Sequence, residues 1–429
     1  MKVLCAGDLH IGRRPTRLPP SVDCHPLSCA RSWEAVVDYA VDQRVDVLAL
    51  SGDLVDQSNK FYEAVGPVER GLRQLRDAGV VTVAVAGNHD YDVLPQLARA
   101  VNDDSFRLLG AGGSWERTTI TSRGGERLHV DGWSFPAEHV RDNPLASYDL
   151  RPDGDTPVLG LLHAELDVPR SRYAPVALSD LQTRDLALWL LGHIHVPKLY
   201  PARHGPPVLY PGSSQAMDPG EQGVHGAWVV ELRPLAPAEP RMIPLASVRY
   251  ATLEVDVTGI DAMADVRTRV NERLRTSIAA LAEESGARLQ VLSLRMRMVG
   301  STTLHRQLEH ELSKLPEDFE WRSGDASAFV ETIAVATRPV RDLEALARGD
   351  DAVALLARLA RDLSGGAHDP GTAALLEGAS GVAATLLDAR QYRPIDDLRE
   401  GLDDAAVRAL AAQQALSLLD ELLAQKELA

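Results

Sequence analysis

The sequence predicts an α/β fold built around buried parallel strands, and three observations predict it. Short apolar runs, partly β-branched, stop at glycine or serine, and a polar residue follows at once, as in Val45–Leu50 followed by Ser51, Gly52 and Asp53. Stretches with helical spacing separate these runs, as parallel strands require. Polar groups sit just past the carboxyl ends of the runs, where open α/β sheets bind their ligands.

The elements follow in order. Lys2–Gly7 reads as the first strand, and Asp8-Leu9-His10 follows it. On an extended segment Asp8 and His10 point the same way and reach one ion. Arg13, Arg14 and Arg17 lie in a proline-rich loop that continues to about Ser28. Ser32–Gln43 reads as a helix with Trp33, Val36, Val37 and Ala40 on one face. The Asp53 strand comes next, then a helix over Glu63–Ala78 and a strand over Val80–Ala86 ending in Gly87-Asn88-His89-Asp90. A helix over Val93–Val101 and antiparallel strands between Phe106 and Pro136 follow. Val158–Leu162 ends at His163, Leu186–Leu191 at Gly192-His193-Ile194-His195, and Pro207–Tyr210 at Pro211-Gly212-Ser213-Ser214; Gly226–Leu232 closes this domain.

The pattern changes near Ser247. Alternating strands at Tyr250–Val257, Leu292–Met298 and Phe329–Thr337 enclose a helix from Met263 to about Ile278 and another over Leu304–Leu315. From Val340 onward the chain reads as helical, with leucine stripes at Val353–Leu363 and Leu416–Leu423 and a linker at Ser364–Gly371. The expected domains are therefore 1–246, 247–339 and 340–429.

Composition narrows the function classes. The chain has 429 residues and a formal charge of −16, which argues against a general nucleic-acid coat protein but leaves room for local positive patches. Three cysteines and the lack of a secretory or membrane-spanning run fit a reducing, cytoplasmic setting with no membrane association. Cys24, His25 and Cys29 offer only three donors in one loop, one short of a closed zinc site.

Collected, the strand-end groups Asp8, His10, Asp53, Asn88, His163, His193 and His195 form a mixed nitrogen and oxygen set. Such a set suits manganese, iron or zinc rather than a magnesium or calcium cage. Two divalent ions carry four positive charges against two carboxylates, with Asp53 as the bridge. The surplus attracts a phosphate and makes a bridging hydroxide available near neutral pH to attack it. His89 reads as a general acid for the leaving oxygen, with Asp56 orienting its imidazole. The histidines at 129, 204 and 225 lack such context and read as surface or core residues.

The segments D-x-H, GDLVD, GNHD, the isolated His163 and GHIH resemble the calcineurin-like metallophosphoesterases over Lys2 to about Leu232. The AGDLHIGR opening, GHIHVPKLY, and YPGSSQAMDPGEQGVHG resemble the DNA double-strand-break nucleases of the bacterial SbcD group. The last of these, with Glu221 and Gly223, is similar to the YhaO-type exonuclease branch. The resemblance implies a two-sheet sandwich flanked by helices, then a small α/β capping domain and a helical tail. It places Asp8, His10, Asp53 and His195 on one ion, and Asp53, Asn88, His163 and His193 on the other. It implies manganese, DNA ends as substrate, a nucleoid-associated setting, and a homodimer formed through helices such as Glu63–Ala78 and Val93–Val101. It also implies an SbcC-like coiled-coil ATPase as partner of the tail.

Three functions are therefore weighed. The first is a two-metal DNA nuclease acting at ends without sequence preference, with Arg13, Arg14 and Arg17 meeting backbone phosphates. The second is a phosphodiesterase or phosphatase for a small nucleotide or phosphoprotein; the acidic charge fits it, and the two extra domains do not. The third is a mainly structural DNA-end or ATPase-binding subunit, which a complete ligand set argues against.

Overall fold

The computed structural model describes residues 1–57, 64–101, 103–201, 205–311, 320–323, 326–365, 370–388 and 403–428. The expected helix start at Glu63, the helix end at Leu315 and half of the expected linker, 366–369, lie outside these residues. By its internal contacts the chain divides into two compact units, one of Met1–Val255, Arg267–Met298 and His310–Val335, the other of Asp256–Val266, Val299–Glu309 and Ala336–Ala429.

In the first unit, a six-stranded sheet runs in the order β12-β11-β1-β2-β3-β4. Its members are β1 (Lys2–Ala6), β2 (Val47–Leu50), β3 (Val81–Ala84), β4 (Phe106–Leu108), β11 (Gly226–Glu231) and β12 (Arg241–Pro244). β1 to β4 are parallel neighbours, while β11 and β12 run antiparallel. Alternation along these strands sorts the side chains. Leu4, Ala6, Leu48 and Leu50 pack with Trp33, Val36 and Leu72 of helices α1 (Cys29–Asp42) and α2 (Val65–Asp77). Leu94 and Leu97 of α3 (Leu94–Val101) join the same core. The opposite face offers Val3, Cys5, Val47, Ala49 and Val83 to a second sheet.

That second sheet runs β5-β6-β7-β8-β10-β9, through Glu116–Thr121, Arg127–Trp133, Val158–His163, Leu188–Gly192, Val208–Tyr210 and Lys198–Tyr200 respectively. Val130, Leu159, Leu161, Leu188, Leu190 and Leu209 meet the first sheet in a shared core, which makes the two sheets a sandwich. Each fully buried leucine or valine there contributes about 1.5–3 kcal/mol of transfer free energy. The outer face buries Trp189, Leu191 and Tyr210 under Phe135, Leu145 and Leu181, the last from α4 (Leu178–Gln182).

Several expectations need correcting. The first helix starts at Cys29 rather than Ser32, because Ser28 already takes the extended N-cap conformation. Phe106–Leu108 pairs parallel with β3 rather than antiparallel. The sheet does not close at Leu232, since β12 adds a further edge strand to β11. The short strand β9 and helix α4 have too few residues to show periodicity, and the sequence reading missed both.

A third sheet, β13-β14-β16-β15, comprises Val248–Asp256, Val291–Ser301, Ala326–Arg338 and Glu320–Ser323. Helix α5 (Met263–Ser285) buries Val266, Val270, Leu274 and Ile278 at the predicted spacing and runs past Ile278. A short helix, α6 (His305–Glu311), occupies part of the expected Leu304–Leu315 helix. In the second unit, α7 (Leu343–Leu346), α8 (Ala352–Gly365), α9 (Pro370–Asp388) and α10 (Asp404–Leu428) form the helical region. Val353, Ala357, Leu363, Ala415 and Leu419 build its core. Ser364 and Gly365 belong to α8 rather than to a linker. Among the described residues no helix is long and apolar enough to cross a membrane.

Candidate metal centre

The parallel strands of both sheets end at the same place. β1, β2 and β3 deliver Asp8 and His10, Asp53, and Asn88, while β7 and β8 deliver His163, His193 and His195. The reason Asp8 and His10 converge is not the extended alternation that their spacing suggests. Both residues, and Asp53 and His193 too, have positive φ, at 48°, 43°, 51° and 100°. Non-glycine residues adopt this region at a cost, and such strain gathers at functional sites. Backbone bonds hold the corners in place, from Asp8 N to Gly52 O at 3.1 Å and from His10 N to Asp53 O at 2.9 Å.

Each of three imidazoles is anchored through one nitrogen and aimed with the other. His10 Nδ1 lies 3.2 Å from Asp56 Oδ1, His163 Nδ1 lies 3.0 Å from Ser51 O, and His195 Nδ1 lies 2.7 Å from Glu221 Oε1. With carboxylates and a carbonyl as acceptors, the neutral form of each ring keeps its proton on Nδ1 and presents the Nε2 lone pair. Those lone pairs meet other acceptors. His10 Nε2 is 3.1 Å from His195 Nε2 and 3.7 Å from Asp53 Oδ2. His163 Nε2 is 3.0 Å from Asn88 Oδ1 and 3.5 Å from Asp53 Oδ2. Acceptors so close together fit a cation between them, so the donor set passes the test for divalent metal. Asp8, His10 and His195 make one such cluster, and Asp8, Asp53 and His163 another.

The electrostatics agree. Burial raises the Asp8 carboxyl above its ordinary range. Burial also acts on Asp53, but His163 and His10 outweigh it and hold that carboxyl below its usual range. Burial, reinforced by neighbouring histidines, drives His193 down to about 3. At His195 burial is outweighed by the Glu221 hydrogen bond and by Asp8, which raise it to about 8. His193 has a different support: its ring lies against Tyr173, with centroids 4.6 Å apart.

His89 sits at the rim, its side chain 31 % exposed. Its backbone N–H donates to Asp53 Oδ1 at 2.9 Å, and its ring meets that of His10 edge-on. Asp56 Oδ1 lies 3.5 Å from His89 Nδ1, farther than from His10 Nδ1. Asp56 therefore lies beside two histidines, the expected His89 and the nearer His10. It still acts as the chief cause of a raised His89, with burial opposing it. Arg13 and Arg14 line a cavity next in the chain, whereas Arg17 stands exposed in a left-handed turn away from that lining.

Two functional groups escaped a role in the sequence reading. Glu221 is buried and holds three partners: His195, the Ser213 hydroxyl at 3.0 Å and the Met217 N–H at 2.8 Å. Asp90 accepts from Leu54 N at 2.7 Å and Gly87 N at 2.8 Å, which ties the Asp53 corner to the Asn88 corner. Burial, with help from Asp53, pushes Asp90 up to about 7. The GNHD motif displays Asp90 in sequence, but nothing local marks what it bonds.

Comparison with known proteins completes the picture. Residues 1–197 match the family model of the calcineurin-like phosphoesterases, and residues 250–338 match that of the middle domain of metallophosphoesterase YhaO. The uncharacterized metallophosphoesterase YhaO of Bacillus subtilis is 29 % identical over 201 residues, covering 46 % of this chain and 48 % of that protein. The DNA double-strand break repair protein Mre11 of Haloferax volcanii is 30 % identical over 294 residues, 63 % of this chain and 58 % of that one. Mre11 of Aeropyrum pernix is 30 % identical over 223 residues, 49 % and 53 %. The chain spans about half the length of the curated relatives it matches. The chain therefore carries a calcineurin-like metallophosphoesterase domain followed by a YhaO-type middle domain.

Proposed function

We propose that this metallophosphoesterase is a DNA nuclease that hydrolyses phosphodiesters at or near strand ends. The observation that carries the metal-dependent chemistry is the convergence of the His10, His163 and His195 Nε2 atoms with Asp53 and Asn88 from the ends of two sheets. Support for DNA as the substrate comes from the Mre11 relatives, which are named for DNA double-strand break repair. In this reading His10, His195, Asp8 and Asp53 hold one divalent ion, and Asp53, Asn88, His163 and His193 the other. Manganese is the favoured metal. Bound there, two such ions would polarise the phosphate and activate water near neutral pH.

The remaining work falls to the chain itself. Asp53 stays ionised between His163 and His10 and can bridge. Glu221 and Asp56 keep their histidines in the tautomer that presents Nε2. His89, at the rim and kept protonatable by Asp56, gives its proton to the leaving oxygen. The helical region, which exposes Leu355, Leu410 and Leu418, is proposed to dock an SbcC-like coiled-coil ATPase. A homodimer through α2 and α3 belongs to the same proposal.

The test is digestion of end-labelled duplex and single-stranded DNA by the purified chain with manganese against EDTA. Asp53→Ala and bis-p-nitrophenyl phosphate serve as controls. Manganese-dependent shortening that vanishes in the variant supports the nuclease. Hydrolysis of the small diester with intact DNA, even with a coiled-coil ATPase added, would favour a small-molecule phosphodiesterase instead.

A further inference from the structure

Beyond the metal centre the molecule concentrates charge of the opposite sign to its net charge. A cavity of about 340 Å³ is walled by Arg13, Arg14, His25, Arg31, Glu34 and Arg70. Three segments contribute to it: the turn that follows His10, the loop leading into α1 together with the first turns of α1 itself, and α2. Four guanidiniums thus surround one carboxylate in a chain of formal charge −16. Arg31 takes that carboxylate at 2.6 Å, but the two side chains are 55 % and 39 % exposed, so water screens the pair. Among the described residues, no acidic side chain pairs with Arg13, Arg14 or Arg70.

Such a set leaves guanidinium donors facing one space, Arg14, Arg31 and Arg70 among them exposed to solvent. Like charges around one half-enclosed space repel, and a local reversal of sign raises the concentration of the opposite ion there. Guanidinium groups pair with phosphate in a fork and prefer it to a compact halide. The wall also includes Ser28 and Ala30 at the start of the 14-residue helix α1, where the Cys29 N–H donates to the Arg13 carbonyl at 3.1 Å and so ties the arginine turn to the helix.

Charge selects among phosphates. A diester within a strand carries one charge and must enter and leave the site. A terminal monoester carries close to two charges at neutral pH and offers three oxygens. Four guanidiniums around a half-open cavity match the second charge and third oxygen of a terminal phosphate better than the single charge of a diester. We propose that this cavity is a subsite for the terminal phosphate monoester of a nucleic-acid strand whose neighbouring diester lies at the metal centre. The proposal rests on the nuclease reading and makes the enzyme sensitive to the chemistry of the end.

The test uses the full chain and duplexes identical except for a 5′-phosphate, a 3′-phosphate or hydroxyl ends, with an internal label. Binding is followed by fluorescence anisotropy in EDTA, and cleavage in manganese. The expected result is that one terminal phosphate tightens binding about tenfold or more over hydroxyl ends, with an advantage that shrinks as salt rises. In Arg70→Gln and in Arg31→Gln that ratio falls toward one, and in Arg70→Lys part of it returns. Thermal unfolding of each variant reports whether it is folded. Equal handling of phosphorylated and hydroxyl ends by the wild type, or an unchanged ratio in both glutamine variants, overturns the subsite. The nuclease reading fails separately, by absence of manganese-dependent cleavage of hydroxyl-ended DNA.

Discussion

Replacing Glu221 with glutamine tests how a buried carboxylate, with no metal contact of its own, governs the metal centre. Glu221 uses one oxygen for His195 Nδ1 at 2.7 Å and the other for Met217 N–H at 2.8 Å and the Ser213 hydroxyl. A glutamine has one accepting oxygen and one donating amide. If its oxygen stays on the fixed Met217 N–H, its NH₂ faces His195 Nδ1, which must then accept. The proton moves to Nε2, and His195 no longer offers a lone pair beside His10 Nε2. If the amide flips, two donors face each other at Met217, and a buried donor without a partner costs about 1–3 kcal/mol. The first arrangement penalises metal binding by about 10- to 100-fold, or about 1.4–2.8 kcal/mol, while the second lowers the stability of the fold instead. The assay is calorimetric titration of manganese into the metal-stripped chain. One of two binding steps should weaken by that factor, and the other should stay within about threefold. Two steps both within about twofold of wild type would refute the argument that Glu221 sets the tautomer.

Three further outcomes are expected. Gly192→Ala places a Cβ against the Ser51 carbonyl and 2.6 Å from His163 Nδ1, so it should cost about 1–3 kcal/mol in a urea melt and weaken the His163 side of the centre; an unchanged midpoint and unchanged manganese titration would contradict it. His89→Asn should leave two manganese ions bound by elemental analysis while lowering turnover by about 10²–10⁴-fold, and loss of an ion would mark His89 as a ligand instead. His195 ligates only when neutral, and in the metal-free fold its pKa is raised from 6.5 to about 8. Manganese affinity at its site should therefore hold above about pH 8 and fall by up to tenfold per pH unit below it, with a proton released on binding; a flat profile from about pH 6 to 8 would rule this out.

The strand-end groups that meet at the candidate centre were legible in the sequence because most of them follow a short apolar run bounded by glycine or serine. A polar residue at the end of such a run has one place to go, the carboxyl edge of a buried sheet. Val45–Leu50 before Asp53, and Leu188–Leu191 before His193 and His195, show this in its plainest form. Periodicity likewise marked α1, α2 and α5, since an apolar stripe every three to four residues needs no knowledge of its partner. Short pieces such as β9 and α4 span less than two periods and leave no such mark.

Tertiary structure decided how the ligands are held. No spacing shows that Asp8 and His10 reach the centre through left-handed corners, because a backbone torsion away from glycine is imposed by the surrounding hydrogen bonds. Nor does sequence show that Glu221 supports His195 from 26 positions away, or that Asp56 lies nearer His10 than His89. The basic cavity joins Arg13 to Arg70 across more than fifty positions. Local patterns record the face a residue turns to the core, which depends on a few neighbours along the chain. Which polar groups meet, and at what distance, depends on how separate strands and helices pack, and a single sequence carries that only through the whole fold.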